Sequence, residues 1–416
     1  MTDQAKSRAD VRAWVDGSDA PEKPSINVGF MPLTDAASLI VAATQGFAEP
    51  YGLTLNLKRQ VSWSGMRDRL LSGELDAGQA LYGLIYSMQL GIGGTQATDM
   101  AVLMGLNQNG QSISLSTGLR ETGVDSGEAL ASRAHRNDAK LILAQTFPTG
   151  THALWLYYWL ASLGIHPLDD VRTLVVPPPQ MVEHLRAGGI DGFCAGEPWG
   201  AFAIDQGVGF TVATSQSIWP DHPEKVLGCT RDFVEQYPNT VRALIMAVLE
   251  ASRFIDASEE NKASTARLIS AGDYVAAPPR VIEPRFLGRY EDGNGHAWTD
   301  AHALRFHADG EVNQPYLSDG LWFMTQFRRW GLLREDPDYL AVAERVQRLE
   351  TYRQAADALG IPLPASPMRR STLLDGKCWD GSDPTGYARS FALHALSDAT
   401  ESEPRKDGNS SCCASS

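Results

Sequence analysis

The stretch TFPTGTHALW, residues 146–155, joins a predicted buried strand to a predicted helix and has the residue types of an anion site. Apolar residues flank it in KLILAQ and LYYWLASLG, and Pro148 to Thr151 are typical of a tight turn. We predict that Thr151 caps the helix, whose first N–H groups and dipole favour an anion. His152 lies in the first turn, where a cation gains nothing from that dipole, so the sequence raises the question of what this turn binds.

Three more polar residues lie where an α/β cleft would use them. Trp63 lies in QVSWSGMRD, where a strand gives way to a helix, and Gln111 follows the polar turn NQNG. Lys225 lies in a predicted loop between IWPDHP and the strand-like VLGCT. Ligands of open α/β sheets bind beyond the strand ends, at helix starts. Packing, capping or solvation is the more common explanation for each residue, so position alone makes them only candidates.

The sequence has no motif of an enzyme. A phosphate loop, an HExxH helix, a nucleophile elbow and a dinucleotide fingerprint are all absent from it. The adjacent carboxylates Asp169–Asp170 and Glu259–Glu260 are interpreted as solvated surface groups. The five cysteines have a spacing that fits neither a metal site nor a disulfide framework; they are Cys194, Cys229, Cys378, Cys412 and Cys413. We therefore expect no catalytic residues, no metal and no cofactor.

Strands alternate with helices along the first half of the chain, which predicts an α/β fold with parallel sheets. From about residue 230 the pattern is mostly helical. A length of 416 residues exceeds the usual size of a single core, which favours two lobes. The segment LLSGELDAGQA in the first half is similar to LRAGGIDGFCA in the second half. In each, a predicted helix ends at glycine and a predicted strand begins near an aspartate, and we call this similarity the sequence echo.

Charge and the N-terminal segment limit the partners and the compartment. The formal net charge of −14 repels nucleic acid and anionic membranes, so we expect no direct contact with either. No apolar run is long enough for a membrane span. The first residues contain neither an export leader nor a lipid-anchoring cysteine, which predicts a reduced, cytoplasmic protein.

Residues from about 26 to 390 resemble the nitrate- and bicarbonate-binding branch of the ABC-transporter substrate-binding proteins. The segments that match are VGFMPLTDAASLIVAATQGF, SWSGMRD, LNQNGQSIS, TFPTGTH, PPPQMV, FCAGEPW, HPEKVL and DGKCWDGSDPTGYARSF. The resemblance implies an α/β, two-lobed, periplasmic-binding-protein-like fold of type II, with the ligand in a cleft between the lobes. It implies a flexible segment 1–24, a discontinuous first lobe of 25–116 plus 229–395, a second lobe 117–228, and a disordered tail 396–416.

In the nitrate-binding relatives, the anion is bound by residues that correspond here to Trp63, Gln111, His152 and Lys225. Nitrate offers only acceptors, and indole, amide, imidazole and ammonium groups supply donors with one positive charge. The helix start at Thr151 is expected to add N–H groups. Bicarbonate-binding relatives have an acidic residue in place of the lysine and bind calcium, so Lys225 favours nitrate or nitrite.

The N-terminal segment makes the chain resemble the cytoplasmic nitrate sensors of bacterial nitrate assimilation, the NasS type. Such sensors hold an RNA-binding antiterminator with an ANTAR domain, the NasT type, and release it when nitrate or nitrite binds. The resemblance implies the same function and partner here. Two alternatives stay open: the substrate-binding component of an ABC nitrate transporter, or less readily of a bicarbonate transporter, and an enzyme on the same fold.

Overall fold

The computed structural model describes residues 19–94, 96–136 and 139–394, which form two five-stranded sheets and two small hairpins. The first sheet has the spatial order β2-β1-β3-β10-β4, and the second has the order β7-β6-β8-β5-β9. The strands of the first sheet are β1 (Ser25–Phe30), β2 (Thr54–Arg59), β3 (Ala77–Leu81), β4 (Met100–Gly105) and β10 (Lys225–Thr230). Those of the second sheet are β5 (Gln111–Ser116), β6 (Ile142–Gln145), β7 (Arg172–Val175), β8 (Gly192–Gly196) and β9 (Gly209–Thr214). The hairpins are β11 (Arg289–Glu291) with β12 (Ala297–Thr299), and β13 (Ser371–Thr372) with β14 (Cys378–Trp379).

Helices cover both sheets and make up most of the chain after β10. Up to that strand they are α1 (Ala37–Thr44), α2 (Trp63–Leu71), α3 (Tyr82–Gln89), α4 (Thr117–Glu121), α5 (Gly127–His135), α6 (Thr151–Ser162), α7 (Met181–Arg186), α8 (Trp199–Asp205) and α9 (Ser215–Ile218). After it they are α10 (Arg231–Gln236), α11 (Pro238–Asp256), α12 (Glu259–Ile269), α13 (Pro279–Phe286), α14 (Leu317–Arg329), α15 (Tyr339–Val346), α16 (Leu349–Ala358) and α17 (Pro384–Arg389). Single 3-10 turns occur at Thr34–Ala36, Glu49–Tyr51, Pro178–Gln180 and Ala308–Gly310. None of the helices in these described ranges is long and apolar enough to cross a membrane.

The prediction of parallel sheets is wrong for one strand of each sheet. Strand β10 is antiparallel to β3 and β4, and β5 is antiparallel to β8 and β9. Each of these strands follows a strand of the other sheet, β5 after β4 and β10 after β9. Neither is therefore connected to its neighbours by the crossover helix that makes successive strands of one sheet parallel. For the same reason β4 and β5, which are consecutive along the chain, lie in different sheets.

The sequence echo corresponds to equivalent positions in the two sheets. Helix α2 leads into β3, which pairs in parallel with β1, and α7 leads into β8, which pairs in parallel with β6. Strands β1 and β6 are therefore equivalent, and each continues through a turn into a helix. The residues that follow these two strands come to corresponding places in the two sheets.

Sheet membership differs from the predicted lobes at both boundaries. Strand β5 belongs to the second sheet although 25–116 was assigned to the first lobe, and β10 belongs to the first sheet although residues up to 228 were assigned to the second. Of the predicted flexible segment 1–24, residues 19–24 are described, and Lys23 there forms an ion pair of 2.6 Å with Asp76. Residues 1–18 and the predicted tail 396–416 lie outside the described residues.

One hydrophobic cluster extends from the first sheet into the second. It contains Met31 and Trp63 beside the first sheet, Leu143 and Phe193 in the second, and Trp322 of α14. A second cluster lies on the other side of the first sheet, around α1 and α11. Because burial of apolar side chains is the main stabilising term, the shared cluster couples the two sheets.

Candidate anion-binding site

The five residues predicted as ligands all lie at the start of a helix or strand. Trp63 begins α2, Gln111 begins β5, Thr151 and His152 begin α6, and Lys225 begins β10. Lys225 is therefore the first residue of a strand and not a loop residue as predicted. The exposed fraction of each is 1% or less, so the five side chains are closed off from solvent.

Lys225 lies at the centre of the site. Its ammonium group is 5.8 Å from the centre of the Trp63 ring and 3.5 Å from Nε2 of His152. It donates hydrogen bonds to Oε1 of Glu224 at 2.6 Å and to Oδ2 of Asp35 at 2.9 Å. The structure therefore brings Trp63, His152 and Lys225 together and adds two carboxylates that sequence reasoning missed.

Asp35 comes from the turn after β1 and is held by a second residue of the first sheet. Its Oδ1 accepts a hydrogen bond from the side-chain amide of Gln79. The oxygen of the same amide accepts the Met31 N–H at 2.7 Å, which fixes the orientation of the amide. Asp35 follows β1 as His152 follows β6, so the internal echo was the signal that could have found it.

Glu224 connects the start of α6 to Lys225. Its Oε1 accepts the Thr151 hydroxyl at 2.6 Å, and its Oε2 accepts the indole N–H of Trp155 at 3.1 Å. The prediction that Thr151 caps α6 is wrong, because Gly150 is the N-cap residue and provides no side-chain cap. A charge-assisted bond to the carboxylate is stronger than a bond to a neutral N–H, which explains where the hydroxyl points.

Burial determines the charges in the site. Burial lowers the pKa of His152 well below its usual value, and the nearby Lys225 ammonium lowers it further, so the imidazole is neutral. Burial raises the pKa of Asp35 to about 6, although Lys225 opposes the shift. Burial alone would lower the pKa of Lys225, but Asp35 and Glu224 outweigh it and raise that pKa. Lys225 is therefore a cation at neutral pH.

Two of the candidate ligands have polar atoms without a partner in the part of the chain that the structure describes. The indole N–H of Trp63 and both amide atoms of Gln111 are buried without a hydrogen bond to any residue that the structure describes. Gln111 lies opposite Gly196 across the β5–β8 ladder. A methyl group on Gly196 would lie 3.3 Å from Oδ2 of Asp35 and 3.5 Å from Nε2 of His152. Buried donors without acceptors are costly, and a small ligand with several acceptor atoms would satisfy them.

The two sheets joined by crossover strands, with polar residues converging between them, define the class of two-lobed periplasmic-binding proteins. Residues 19–270 match the family model of the NMT1-like family. The crystal structure of the periplasmic nitrate-binding protein NrtA from Synechocystis PCC 6803 superimposes with a TM-score of 0.86 at 35% identity, over 90% of this chain and 100% of that one. The alkanesulfonate-binding protein SsuA from Xanthomonas axonopodis pv. citri shares the fold alone, with a TM-score of 0.58 at 14% identity over 79% of this chain and 100% of that one.

Relatives in sequence agree with this class. The nitrate/nitrite binding protein NrtA of Synechocystis sp. (strain ATCC 27184 / PCC 6803 / Kazusa) is 36% identical over 406 residues, 95% of this chain and 90% of its own. The nitrate import ATP-binding protein NrtC of the same organism is 36% identical over 92% of this chain, which covers 58% of that longer protein. The chain belongs to the NMT1-like family and, within it, to the NrtA-like substrate-binding proteins.

Proposed function

We propose that the protein binds nitrate or nitrite between its two sheets, at the site centred on Lys225. The observation that carries the proposal is the convergence of one ammonium group and several neutral N–H donors from different elements. That convergence occurs in a chain 36% identical to a nitrate/nitrite binding protein over 95% of its length. Nitrate and nitrite are small anions that only accept hydrogen bonds, and the unpartnered donors, the Trp63 indole N–H and the Gln111 side-chain NH₂, match them. A non-enzymatic function is consistent with this relative.

The side chains have distinct roles in this proposal. Lys225 supplies the positive charge. Its N–H groups, which otherwise donate to Asp35 and Glu224, donate to the bound anion instead. Nδ1 of His152 is in hydrogen-bond contact with the Thr146 hydroxyl. When that hydroxyl donates to Nδ1, the proton of the neutral imidazole is on Nε2, which can then donate to the anion. Trp63 donates from the edge of the cleft and the Gln111 amide from β5. A ligand bridging the lobes favours the closed arrangement over an open one.

Two biological roles are compatible with such a site. The names of the relatives favour the substrate-binding component of an ABC nitrate importer. The finer proposal is a cytoplasmic sensor that sequesters an ANTAR-domain antiterminator and releases it when nitrate or nitrite binds. Its support is the resemblance of the sequence to the NasS-type nitrate sensors. Both roles need the same anion site, and they differ in the macromolecular partner.

Calorimetric titration of the purified protein tests the ligand. We expect nitrate or nitrite to bind with one site per chain and bicarbonate with calcium to give no heat of binding. A calcium ion needs oxygen ligands, and here Asp35 and Glu224 are already paired with an ammonium group. Binding of bicarbonate with calcium alone would contradict the proposal, as would no binding of any of these anions.

Charge reversal at Lys225 tests the site. We expect Lys225→Glu to abolish nitrate binding, because it replaces the only cation in contact with Asp35 and Glu224 among the described residues by a third carboxylate. The matched control is Lys58→Glu, at an exposed position of β2, which should bind nitrate like the unaltered protein. Unchanged nitrate affinity in Lys225→Glu would place the ligand elsewhere.

Complex formation distinguishes the two roles. A sensor should co-elute with an ANTAR-domain antiterminator in the absence of nitrate and lose it when nitrate is added. By linkage, the partner should weaken nitrate affinity by the factor by which nitrate weakens partner affinity. The Lys225→Glu variant should form the complex but keep it in nitrate. Nitrate binding without any complex would leave the transport role.

A further inference from the structure

A cluster of three side chains far along the chain from the anion site has the composition of a metal site. His166, Asp169 and His394 each direct one ligand atom to a common region, and these atoms all lie within 4.8 Å of one another. His166 and Asp169 belong to the turn that follows α6, and His394 follows α17. The cluster therefore joins two segments that are distant in sequence.

The orientation of His166 and Asp169, rather than their distance, fits two ligands of one ion better than it fits a hydrogen bond. Nδ1 of His166 is 3.0 Å from Oδ2 of Asp169, yet this buried nitrogen has no hydrogen-bond partner within the described ranges. The two atoms are thus side by side without the angles of a donor and an acceptor. Ligand atoms around tetrahedral zinc are about 3.3 Å apart, given metal–ligand distances of about 2.0–2.1 Å.

The backbone positions of all three residues are fixed. The backbone N–H of His166 donates to Oδ2 of Asp170 at 2.7 Å, and the backbone N–H of Asp170 donates to the His166 carbonyl oxygen at 2.9 Å. The N–H of His394 donates to the carbonyl of Arg329 at 2.9 Å. The His166 ring has the ring of His394 5.2 Å away and that of Trp330 6.1 Å away. An ion requires only small side-chain rotations to draw the ligands together.

We propose that His166, Asp169 and His394 bind a Zn²⁺ ion, with water as the remaining ligand. Two imidazole nitrogens and one carboxylate oxygen are ligands that zinc prefers, and one open position is compatible with partial exposure. The ion would attach the segment after α17 to the turn at the end of α6. Because α6 begins at Thr151 and His152, the ion would hold the far end of the helix that presents the anion site.

Zinc titration of the full chain against a chromophoric chelator tests this site. Cys378, Cys412 and Cys413 are replaced by serine in every sample, because Cys378 is an exposed free thiol and thiols bind zinc themselves. We expect one Zn²⁺ per chain in this parent, and an affinity at least about tenfold lower in each of His166→Ala, Asp169→Asn and His394→Ala. The matched control is His184→Ala, at an exposed position of α7, which should bind like the parent.

Two further measurements separate a built site from surface binding. Co²⁺ should give the visible absorption of a four-coordinate site in the parent and in His184→Ala but not in His394→Ala. Zinc should raise the thermal midpoint of the parent but not that of Asp169→Asn, an exposed position whose substitution does not disturb the core. No zinc binding by the parent, or equal binding by all variants, would overturn the proposal. Neither outcome affects the nitrate proposal, because the two sites share no residue.

Discussion

At the scale of single residues, the proposed anion site depends on donors that find no acceptor among the residues that the structure describes. The Trp63 indole N–H and the Gln111 amide have no partner among the residues described, whereas the Lys225 ammonium group donates to Asp35 and Glu224. The neutral donors therefore lose nothing when a ligand accepts from them. The ammonium group exchanges one partner for another and supplies charge balance.

Removal of the Trp63 donor should weaken ligand binding without a loss of stability beyond that of a similar substitution at another buried tryptophan. We expect Trp63→Phe to lower nitrate affinity about ten- to a hundredfold, since a hydrogen bond to a charged group contributes about 1.5–3 kcal/mol. The thermal midpoint without ligand should fall no further than that of Trp330→Phe, because both substitutions remove the same buried ring volume and neither indole N–H has a partner among the described residues. Calorimetry measures the affinity, and Trp330→Phe is the control. Equal effects of the two substitutions on affinity would contradict a ligand role for Trp63.

Asp35 should make nitrate binding depend on pH. Its pKa is about 6, and a neighbouring anion raises it further, so nitrate binding takes up a proton and affinity rises as pH falls from about 8 to about 6. Of the charged or titratable groups around it, His152 is already neutral in this range and Lys225 is a cation throughout. Titrations at several pH values should show this slope in the protein, and Asp35→Asn should flatten it. An equally steep slope in Asp35→Asn would assign the proton to another group.

The sequence identified the candidate donors but not the carboxylates beside them. Trp63, Gln111, Thr151, His152 and Lys225 were found because residue type, position and family motifs pointed to an anion. Asp35 and Glu224 were missed because an acidic side chain beside an anion contradicts simple charge matching. Only the three-dimensional positions show that both are partners of Lys225.

At the scale of elements, α3 and the turn before α6 form a close contact between the two halves. The turn packs on Gly83 so tightly that a methyl group there would lie 2.1 Å from the Thr149 carbonyl oxygen. The Thr149 hydroxyl donates to that of Ser87, one turn further along α3, at 2.9 Å. Helix α3 follows β3 of the first sheet, and the turn follows β6 of the second.

A methyl group at Gly83 should therefore oppose closure of the cleft. We expect Gly83→Ala to lower nitrate affinity at least about tenfold, since 1.4 kcal/mol of strain is sufficient and overpacking costs about 1–3 kcal/mol. The variant should also have a larger radius of gyration in nitrate by small-angle X-ray scattering. Gly118→Ala, at an exposed position of α4, is the control and should leave both quantities unchanged. A compact Gly83→Ala variant with normal affinity would show that this contact does not limit closure.

The alternation of apolar patterns predicted the strands and helices around the site, but it could not predict strand direction. The echo between the two halves corresponds to β3 and β8 as expected, because similar units bury similar faces. The apolar pattern of β5 and β10 would be the same in a parallel or an antiparallel strand, so it does not predict direction. Their antiparallel direction follows from their connection to a strand of the other sheet. Thr151 was misplaced for a related reason: the acceptor of its hydroxyl is 73 positions away in sequence.

At the scale of the whole molecule, the shared hydrophobic cluster should make the two sheets unfold together. We expect a single thermal transition, which nitrate at about a hundred times its Kd shifts upward by about 3 °C through about 2.7 kcal/mol of linkage. Calorimetric scans with and without nitrate measure both quantities, and Lys225→Glu should show no shift. Two separate transitions, of which nitrate moves only one, would mean that the halves are energetically independent.

The pairing of Lys225 with Asp35 and Glu224 also has a kinetic consequence. When a bound anion leaves a buried cation that has no other partner, the escaping ion must overcome nearly the full attraction of an unscreened charge. Here the two carboxylates can reclaim the ammonium N–H groups while the anion is still departing, so charge balance is kept along the exit path. The residence time of the ligand should therefore be short for its affinity, which allows the protein to follow a changing concentration of its anion.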